Sequence, residues 1–153
     1  MVSYSRGSSL ADLSFAMSLR TNPYRNNIEA KGAGRRHVLN VLAVDDDPSV
    51  AQVLSWVLSG STCAVTTVES AAEAMTAIAR PYHFDVVITD NRMPIASGLQ
   101  LVQRLRENKF TSRIIVLSAY VSPEDEEEYR RLGVKLFLPK PFAVSDLRRA
   151  IGL

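Results

Sequence analysis

Short apolar runs alternate with segments in which apolar residues recur every three or four positions, from residue 38 to the end of the chain. The runs have the length of buried strands, and the recurring positions form one face of a helix. We predict strands at residues 38–44, 64–68, 84–89, 113–118 and 134–138. The first two predicted helices begin at Pro48 and Ala71, and the third runs from about Gly98 to Asn108. The fourth begins at Ser122 with a capping box, and the fifth contains Val144, Leu147 and Ile151.

The five strand–helix repeats indicate an α/β fold with a doubly wound, five-stranded parallel sheet. Parallel neighbours need crossover connections, and these place helices on both faces of the sheet. In such sheets a functional site lies beyond the carboxyl ends of the strands. The residues that follow each predicted strand are therefore the candidates for function.

Residues 1–37 differ in composition from the rest of the chain. They hold six basic and two acidic residues, whereas residues 38–153 hold twelve basic and fourteen acidic ones. The net charge of +2 therefore comes from this leader and gives no reason to expect nucleic-acid binding by the folded part. The leader lacks the apolar core of a secretory signal. Its composition fits a disordered tail or an organelle transit peptide; we favour the tail, with residues 31–36 as a linker to a domain at 38–153.

The apolar segments and the single cysteine bear on location. No stretch approaches about 18 consecutive apolar residues, so we expect no membrane span. Cys63 lies in an apolar run and has no second cysteine to pair with, which predicts a buried thiol in a reducing compartment. We therefore expect a cytoplasmic protein.

Acidic, hydroxyl and basic side chains follow four of the predicted strands. Residues 45–47 are three aspartates after the first strand, Asp90 follows the third, Ser118 ends the fourth and Lys140 follows the fifth. Carboxylates that converge in this way raise one another's pKa unless a cation lies between them. Magnesium fits best, because it uses few carboxylates, keeps several waters and bridges to phosphate.

A carboxylate beside such a metal can attack phosphorus and form an acyl phosphate. The metal, the Lys140 ammonium and the Ser118 hydroxyl would then share the charge of the phosphoryl oxygens. The residues thus predict phosphoryl transfer onto an aspartate.

Four segments carry these residues, and together they resemble the receiver domain of two-component response regulators. The segments are VLAVDDDP at 41–48, ITDNRMP at 88–94 with Gly98 after it, LSA at 117–119 and LPKPF at 138–142. The resemblance covers about residues 38–153. It implies a CheY-like, flavodoxin-like (βα)5 fold and a non-enzymatic switch, phosphorylated by a sensor histidine kinase or a His-containing phosphotransfer protein.

The resemblance also implies the metal ligands. Asp90 would be the phosphoacceptor and would share Mg²⁺ with Asp46, which binds it directly. Asp45 would bind through water, and the backbone carbonyl of Arg92 would complete the protein ligands.

A second group of residues is implied to bind the phosphoryl group or to switch. Ser118 and Ala119 would lie at the phosphoryl group, with the Ser118 hydroxyl moving toward it, and Lys140 would pair with it. The Lys140–Pro141 bond would be cis. Phe137 holds the position of an aromatic residue that rotates on phosphorylation, although its aromatic ring also fits a plain core position.

Two residues depart from the usual pattern of that family. Arg92, two positions after Asp90, places a long cation near the pocket, and Tyr120, two after Ser118, adds bulk beside it. We expect both to act as gatekeepers that slow the attack of water on the acyl phosphate. The 37-residue leader also lies outside the family pattern.

Other polar residues have simpler interpretations. Asp47, before Pro48, is predicted to cap the first helix. His37 and His83 have no spacing typical of a metal site and are predicted to be surface residues. The acidic residues 124–128 form a solvated helix face, or else pair with Arg148 and Arg149 across a homodimer formed on phosphorylation.

The leading functional interpretation is a phosphorylation-controlled switch that docks onto a partner or passes phosphate onward. A second is that the chain is the N-terminal receiver fragment of a longer transcriptional regulator. A third is a magnesium-dependent phosphatase with Asp90 as a transient nucleophile, which is disfavoured because Arg92 stands where such enzymes place a second acid. A degenerate receiver is disfavoured by the complete set of acids and Lys140.

Overall fold

The computed structural model describes residues 37–153. The predictions of a disordered leader, a transit peptide and a linker fall on residues 1–36, which lie outside the described residues. None of the helices in the described residues combines the length and the hydropathy of a membrane-spanning segment.

Five parallel strands form one sheet in the order β2-β1-β3-β4-β5. The strands are β1 Leu39–Val44, β2 Cys63–Val68, β3 Val86–Asp90, β4 Arg113–Ser118 and β5 Leu136–Pro139. The helices in the described residues are α1 Pro48–Leu58, α2 Ala71–Ile78, α3 Gly98–Glu107, α4 Pro123–Arg131 and α5 Val144–Ile151. The predicted α/β fold with a doubly wound parallel sheet is therefore confirmed.

Helices cover the sheet on both faces, and β1, β3 and β4 are largely buried, which is why these strands read as nearly continuous apolar runs. One face packs on α1 and α5 through a cluster of buried residues that includes Val41, Ile88, Ile115, Leu54 and Leu147. The side chains that alternate with these along the strands, such as Leu42, Val87 and Val116, are also fully buried and face the other layer. That layer holds α2, α3 and α4, so the strand ends are fixed from both sides.

Two strands begin two residues later than predicted, and every other strand boundary agrees with its prediction to within one residue. β5 begins at Leu136 rather than at residue 134, because Val134 lies in the turn that follows α4: its N–H donates to the carbonyl of Tyr129 at 2.9 Å. Gly133 makes this turn in the left-handed region, at φ 82°. β3 begins at Val86 rather than at residue 84.

Four of the five helices in the described residues begin with a side chain that accepts a hydrogen bond from a backbone N–H of the first turn. The predicted cap is confirmed at α1, where Asp47 accepts a hydrogen bond from the Ser49 N–H at 2.8 Å. At α4, Ser122 accepts one from the Asp125 N–H, but Asp125 is one methylene shorter than the Glu or Gln of a capping box. The reciprocal box is instead formed at α3, by Ser97 and Gln100, so the box predicted at Ser122 was assigned to the wrong helix.

Arg106 joins two backbone segments at the end of the sheet opposite the acidic residues. Its guanidinium donates to the carbonyls of Leu132 at 2.8 Å, of Ser112 at 3.3 Å and of Phe110. Burial lowers the pKa of Arg106 from its ordinary value. The side chain thus stabilises the loop between α3 and β4 and the turn after α4 by replacing water on their carbonyls.

Arg106→Met should lower the free energy of unfolding by about 1–3 kcal/mol, because the apolar stem is kept while half-buried carbonyls lose their donors. The matched control is Arg104→Met, an exposed arginine on the same helix, which should change stability by less than about 0.5 kcal/mol. Urea denaturation of the three proteins measures both effects. Equal stability of the two variants would contradict this role of Arg106.

Candidate functional site

The strand register brings the predicted site residues to one edge of the sheet. Val44 pairs with Thr89, so Asp45 and Asp90 follow side by side on β1 and β3. Asp90 pairs with Leu117, and the next residue, Ser118, pairs with Pro139, which precedes Lys140. Each of these side chains therefore stands at the carboxyl end of a different strand.

Three carboxylates cluster at this edge of the sheet. One oxygen from each of Asp45, Asp46 and Asp90 lies within 4.8 Å of the others. Asp45 and Asp90 are only 1% and 8% exposed, whereas Asp46 is open to solvent. Three hard oxygen donors with access to water on one side are the donor set that Mg²⁺ takes in proteins, so these residues fit that ion.

Lys140 supplies the positive charge among these acids. Its Nζ lies 2.7 Å from Asp45 Oδ2 and 3.0 Å from Asp90 Oδ1. Burial alone would lower the pKa of the Lys140 ammonium, but the hydrogen bonds to Asp45 and Asp90 outweigh it and raise that pKa. Lys140 therefore stays charged, and the cis Lys140–Pro141 bond directly follows it.

The carboxyl group of Asp90 is harder to ionise in the folded protein than an exposed aspartate is. Burial raises its pKa, and the charge of Asp45 acts in the same direction. The Lys140 ammonium and the Arg92 N–H, which donates to Asp90 Oδ2 at 3.1 Å, oppose this but do not cancel it. Without a metal ion, the ionised form of Asp90 therefore destabilises the fold.

The Ser118 hydroxyl is directed into its own loop. It donates to the backbone carbonyl of Tyr120, and the Tyr120 N–H donates back to the Ser118 Oγ at 3.1 Å. Ala119, between the two residues, is exposed.

Arg92 and Tyr120 meet at the mouth of the pocket. Both side chains are exposed, and the Arg92 guanidinium carbon lies 6.0 Å from the centre of the Tyr120 ring. This distance is at the outer limit of a cation–π contact. The two residues predicted to be gatekeepers are thus neighbours in space.

Two functional candidates were missed from the sequence, Asn91 and Tyr129. Asn91 is buried beside Asp90, and its side-chain oxygen accepts a hydrogen bond from the Tyr129 hydroxyl at 2.8 Å. Tyr129 is the single large apolar side chain in α4 and stands among charged residues in the sequence PEDEEEYRR. This contrast between Tyr129 and its neighbours was the signal in the sequence that Tyr129 is buried. Phe137 is half-buried and packs edge-to-face on Tyr129, with ring centres 5.7 Å apart.

Gly98, at the start of α3, permits the backbone to pass close to Asp90. A Cβ at this position would lie 2.2 Å from the Asp90 carbonyl oxygen and 2.9 Å from the Tyr129 hydroxyl. No side chain fits there without moving the loop that carries Asp90.

The two histidines lie at the opposite end of the sheet and are exposed, as predicted. Their Nε2 atoms lie 3.6 Å (His37) and 3.4 Å (His83) from the same oxygen of Asp85. They take no part in the acidic pocket.

Comparison with known proteins agrees with this geometry. The family model of the response regulator receiver domain matches residues 41–152. The chain therefore belongs to the response regulator receiver domain family. Receiver domains are signalling domains, generally not enzymes, that bind Mg²⁺ at an acidic pocket and are phosphorylated by histidine kinases or phosphotransfer proteins.

Individual relatives support the same family. The chain is 40% identical over 112 residues to the transcriptional regulatory protein TdiR of Thauera aromatica, an alignment that covers 73% of this chain and 49% of TdiR. Among solved structures, the chemotaxis response regulator CheY4 of Vibrio cholerae is 33% identical, with a TM-score of 0.65 over 74% of this chain and 98% of CheY4. A response regulator receiver protein from Pseudomonas putida is 29% identical, with a TM-score of 0.71 over 78% and 98% of the two chains.

The chain matches only part of its longer relatives. It spans 43% of a response regulator receiver protein of Anaeromyxobacter, to which it is 38% identical over 103 residues (67% of this chain). It spans 24% of the DNA-binding transcriptional regulator NtrC of Escherichia coli, to which it is 34% identical.

Asp90→Asn should raise the melting temperature at neutral pH in the presence of EDTA. Because the folded-state pKa of Asp90 is raised, ionisation of this group lowers the stability of the fold as the pH rises above the ordinary pKa of an aspartate. The gain from the substitution should therefore be largest near pH 7 and vanish below about pH 3, where the carboxyl group is protonated in both states. The control Asp46→Asn removes an exposed carboxylate and should give a smaller gain. A lower melting temperature for Asp90→Asn at pH 7 would contradict this account.

Proposed function

We propose that this chain is a phosphorylation-controlled switch in which Asp90 accepts the phosphoryl group. The observation that carries the proposal is the convergence of Asp45, Asp46 and Asp90 with Lys140, whose Nζ lies between two of the three carboxylates. The domain that acts in this way is residues 38–153, and the protein is not an enzyme with sustained turnover.

The transfer is a substitution at phosphorus. A carboxylate oxygen of Asp90 forms the new P–O bond while the P–N bond of a phosphohistidine breaks, and the released histidine nitrogen takes up a proton. Lys140 then pairs with the phosphoryl oxygens, and Ser118 turns its hydroxyl from the Tyr120 carbonyl toward them. Ala119 moves with this loop, and the Phe137 ring rotates on phosphorylation.

Magnesium is the ion that we assign to the pocket. Asp46 and Asp90 would bind it directly, Asp45 through water, and the Arg92 carbonyl would complete the protein ligands. The bound ion would neutralise charge on the entering phosphoryl group. Asp45 suits an indirect role, because Lys140 and the Asp47 N–H already occupy its oxygens.

The donor in this proposal is a sensor histidine kinase or a His-containing phosphotransfer protein. The phosphorylated domain would dock onto a partner protein, pass the phosphoryl group onward, or form a homodimer. It would act in the cytoplasm, where the buried Cys63 stays a thiol. A receiver within a longer transcriptional regulator is the second candidate, supported by the short share of NtrC and TdiR that the chain spans.

Asp90→Asn should abolish phosphorylation and leave the fold intact, because the amide has nearly the same shape but is no nucleophile. The measurement is the intact mass after incubation with Mg²⁺ and acetyl phosphate. Asp47→Asn is the matched control: it changes a neighbouring aspartate to another good helix cap and should take up one phosphoryl group like the wild type. One phosphoryl mass on Asp90→Asn would refute the assignment.

Arg92 and Tyr120 are proposed to slow hydrolysis of the acyl phosphate. Arg92 lies next to the pocket, with its N–H on Asp90 and its guanidinium near Tyr120. From there the guanidinium can donate hydrogen bonds to a phosphoryl oxygen and restrict the water that attacks in line.

Arg92→Ala should therefore shorten the acyl-phosphate half-life about tenfold, which corresponds to only ~1.4 kcal/mol of barrier. Tyr120→Ala removes bulk but no charge and should have a smaller effect. Phosphate release is followed in each protein with excess Mg²⁺ after the donor has been removed. An unchanged or longer half-life for Arg92→Ala would end the gatekeeping hypothesis but leave the phosphoacceptor assignment standing.

A further inference from the structure

The side chain of Asn91 connects three parts of the molecule. Asn91 directly follows Asp90, and its side-chain oxygen accepts from the Tyr129 hydroxyl on α4. Its side-chain nitrogen donates to the Tyr120 carbonyl at 3.3 Å, in the loop after Ser118. A single buried amide therefore ties the Asp90 loop, the Ser118 loop and α4 together.

The Tyr120 carbonyl is the point at which these contacts meet. It accepts from both the Ser118 hydroxyl and the Asn91 amide. The Ser118 hydroxyl must leave this carbonyl before it can donate to a phosphoryl oxygen on Asp90. A side chain that fixes the carbonyl thereby also holds Ser118 away from the pocket.

We propose that Asn91 and Tyr129 form a clamp that holds the Ser118 loop in its unphosphorylated arrangement and so restrains phosphoryl transfer to Asp90. The inference rests on the proposed function of Asp90 and adds two positioning residues to it. The Tyr129 hydroxyl keeps the Asn91 amide in the one orientation that presents its N–H to the Tyr120 carbonyl. Without that hydroxyl, the buried amide oxygen loses its donor, and the amide is free to turn away.

The position of Tyr129 makes it a rigid partner in this clamp. Its side chain is 0% exposed, and its ring packs edge-to-face on Phe137. The Arg130 guanidinium carbon lies 5.4 Å from the centre of the Phe137 ring. The clamp thus connects the pocket with the surface formed by α4 and β5, so release of the clamp would alter that surface.

Tyr129→Phe tests the clamp, because it keeps the packed ring and removes only the hydroxyl. In the protein without a phosphodonor, the Tyr120 backbone amide should exchange its hydrogen faster, as measured by NMR. With Mg²⁺ and acetyl phosphate, the rate of phosphorylation should rise by about threefold to tenfold, the range expected for one lost hydrogen bond.

Two controls separate the clamp from a general loss of stability. Tyr82→Phe removes another hydroxyl that donates to an asparagine side chain, at 2.6 Å to Asn40 at the opposite end of the sheet, and should change neither measurement. In a Ser118→Ala background the loop has no hydroxyl to release, so Tyr129→Phe should give no further rise in rate.

The outcomes distinguish the clamp from the function on which it rests. Unchanged exchange at Tyr120 in Tyr129→Phe overturns the clamp, whether or not the protein is phosphorylated. An equal rise in rate with and without the Ser118 hydroxyl also overturns it, since the effect would then bypass that loop. A wild-type chain that gains no phosphoryl mass instead refutes the proposed function, and the exchange measurement still decides on the clamp.

Discussion

The electrostatic repulsion between Asp45, Asp46 and Asp90 is the constraint around which this domain is built. Three acidic groups within a few ångströms of one another, two of them buried, are unfavourable in a folded protein unless positive charge is close. Lys140 supplies part of that charge, and a divalent cation can supply the rest. The pocket is therefore short of positive charge by itself, and a divalent cation fits that deficit.

The rest of the fold keeps the acids in this unfavourable arrangement. β1 and β3 lie at the centre of the sheet and are covered on both faces, so neither strand can shift to separate Asp45 from Asp90. Gly98 lets α3 begin against the Asp90 carbonyl, which closes the loop behind the carboxylate. Hydrophobic burial over the whole sheet thus offsets the local electrostatic cost, because the strands have a large apolar area and the pocket is small.

The sequence predicted those parts of the structure that depend on local pattern. Buried parallel strands are apolar on both faces, so both ends of β4 were predicted correctly. The acids at the strand ends identified the pocket. The start of β5 was missed because a left-handed turn at Gly133 and a bond from Val134 to Tyr129 decide it. The contact of Asn91 with Tyr129 could not be foreseen either, since it depends on how α4 packs, and the chain alone does not give the position of a helix to within a hydrogen bond.

The wide separation of the pocket residues along the chain has a consequence for folding. The bond between Asp45 and Lys140 joins residues 95 positions apart, and Lys140 follows Asp90 by 50 positions. During synthesis the acids are complete long before their lysine emerges, so a nascent chain carries the repulsion without its internal counter-charge. Contacts of such high sequence separation also close late in folding. The pocket should thus be among the last features to form, and a partly folded chain would be unable to accept a signal.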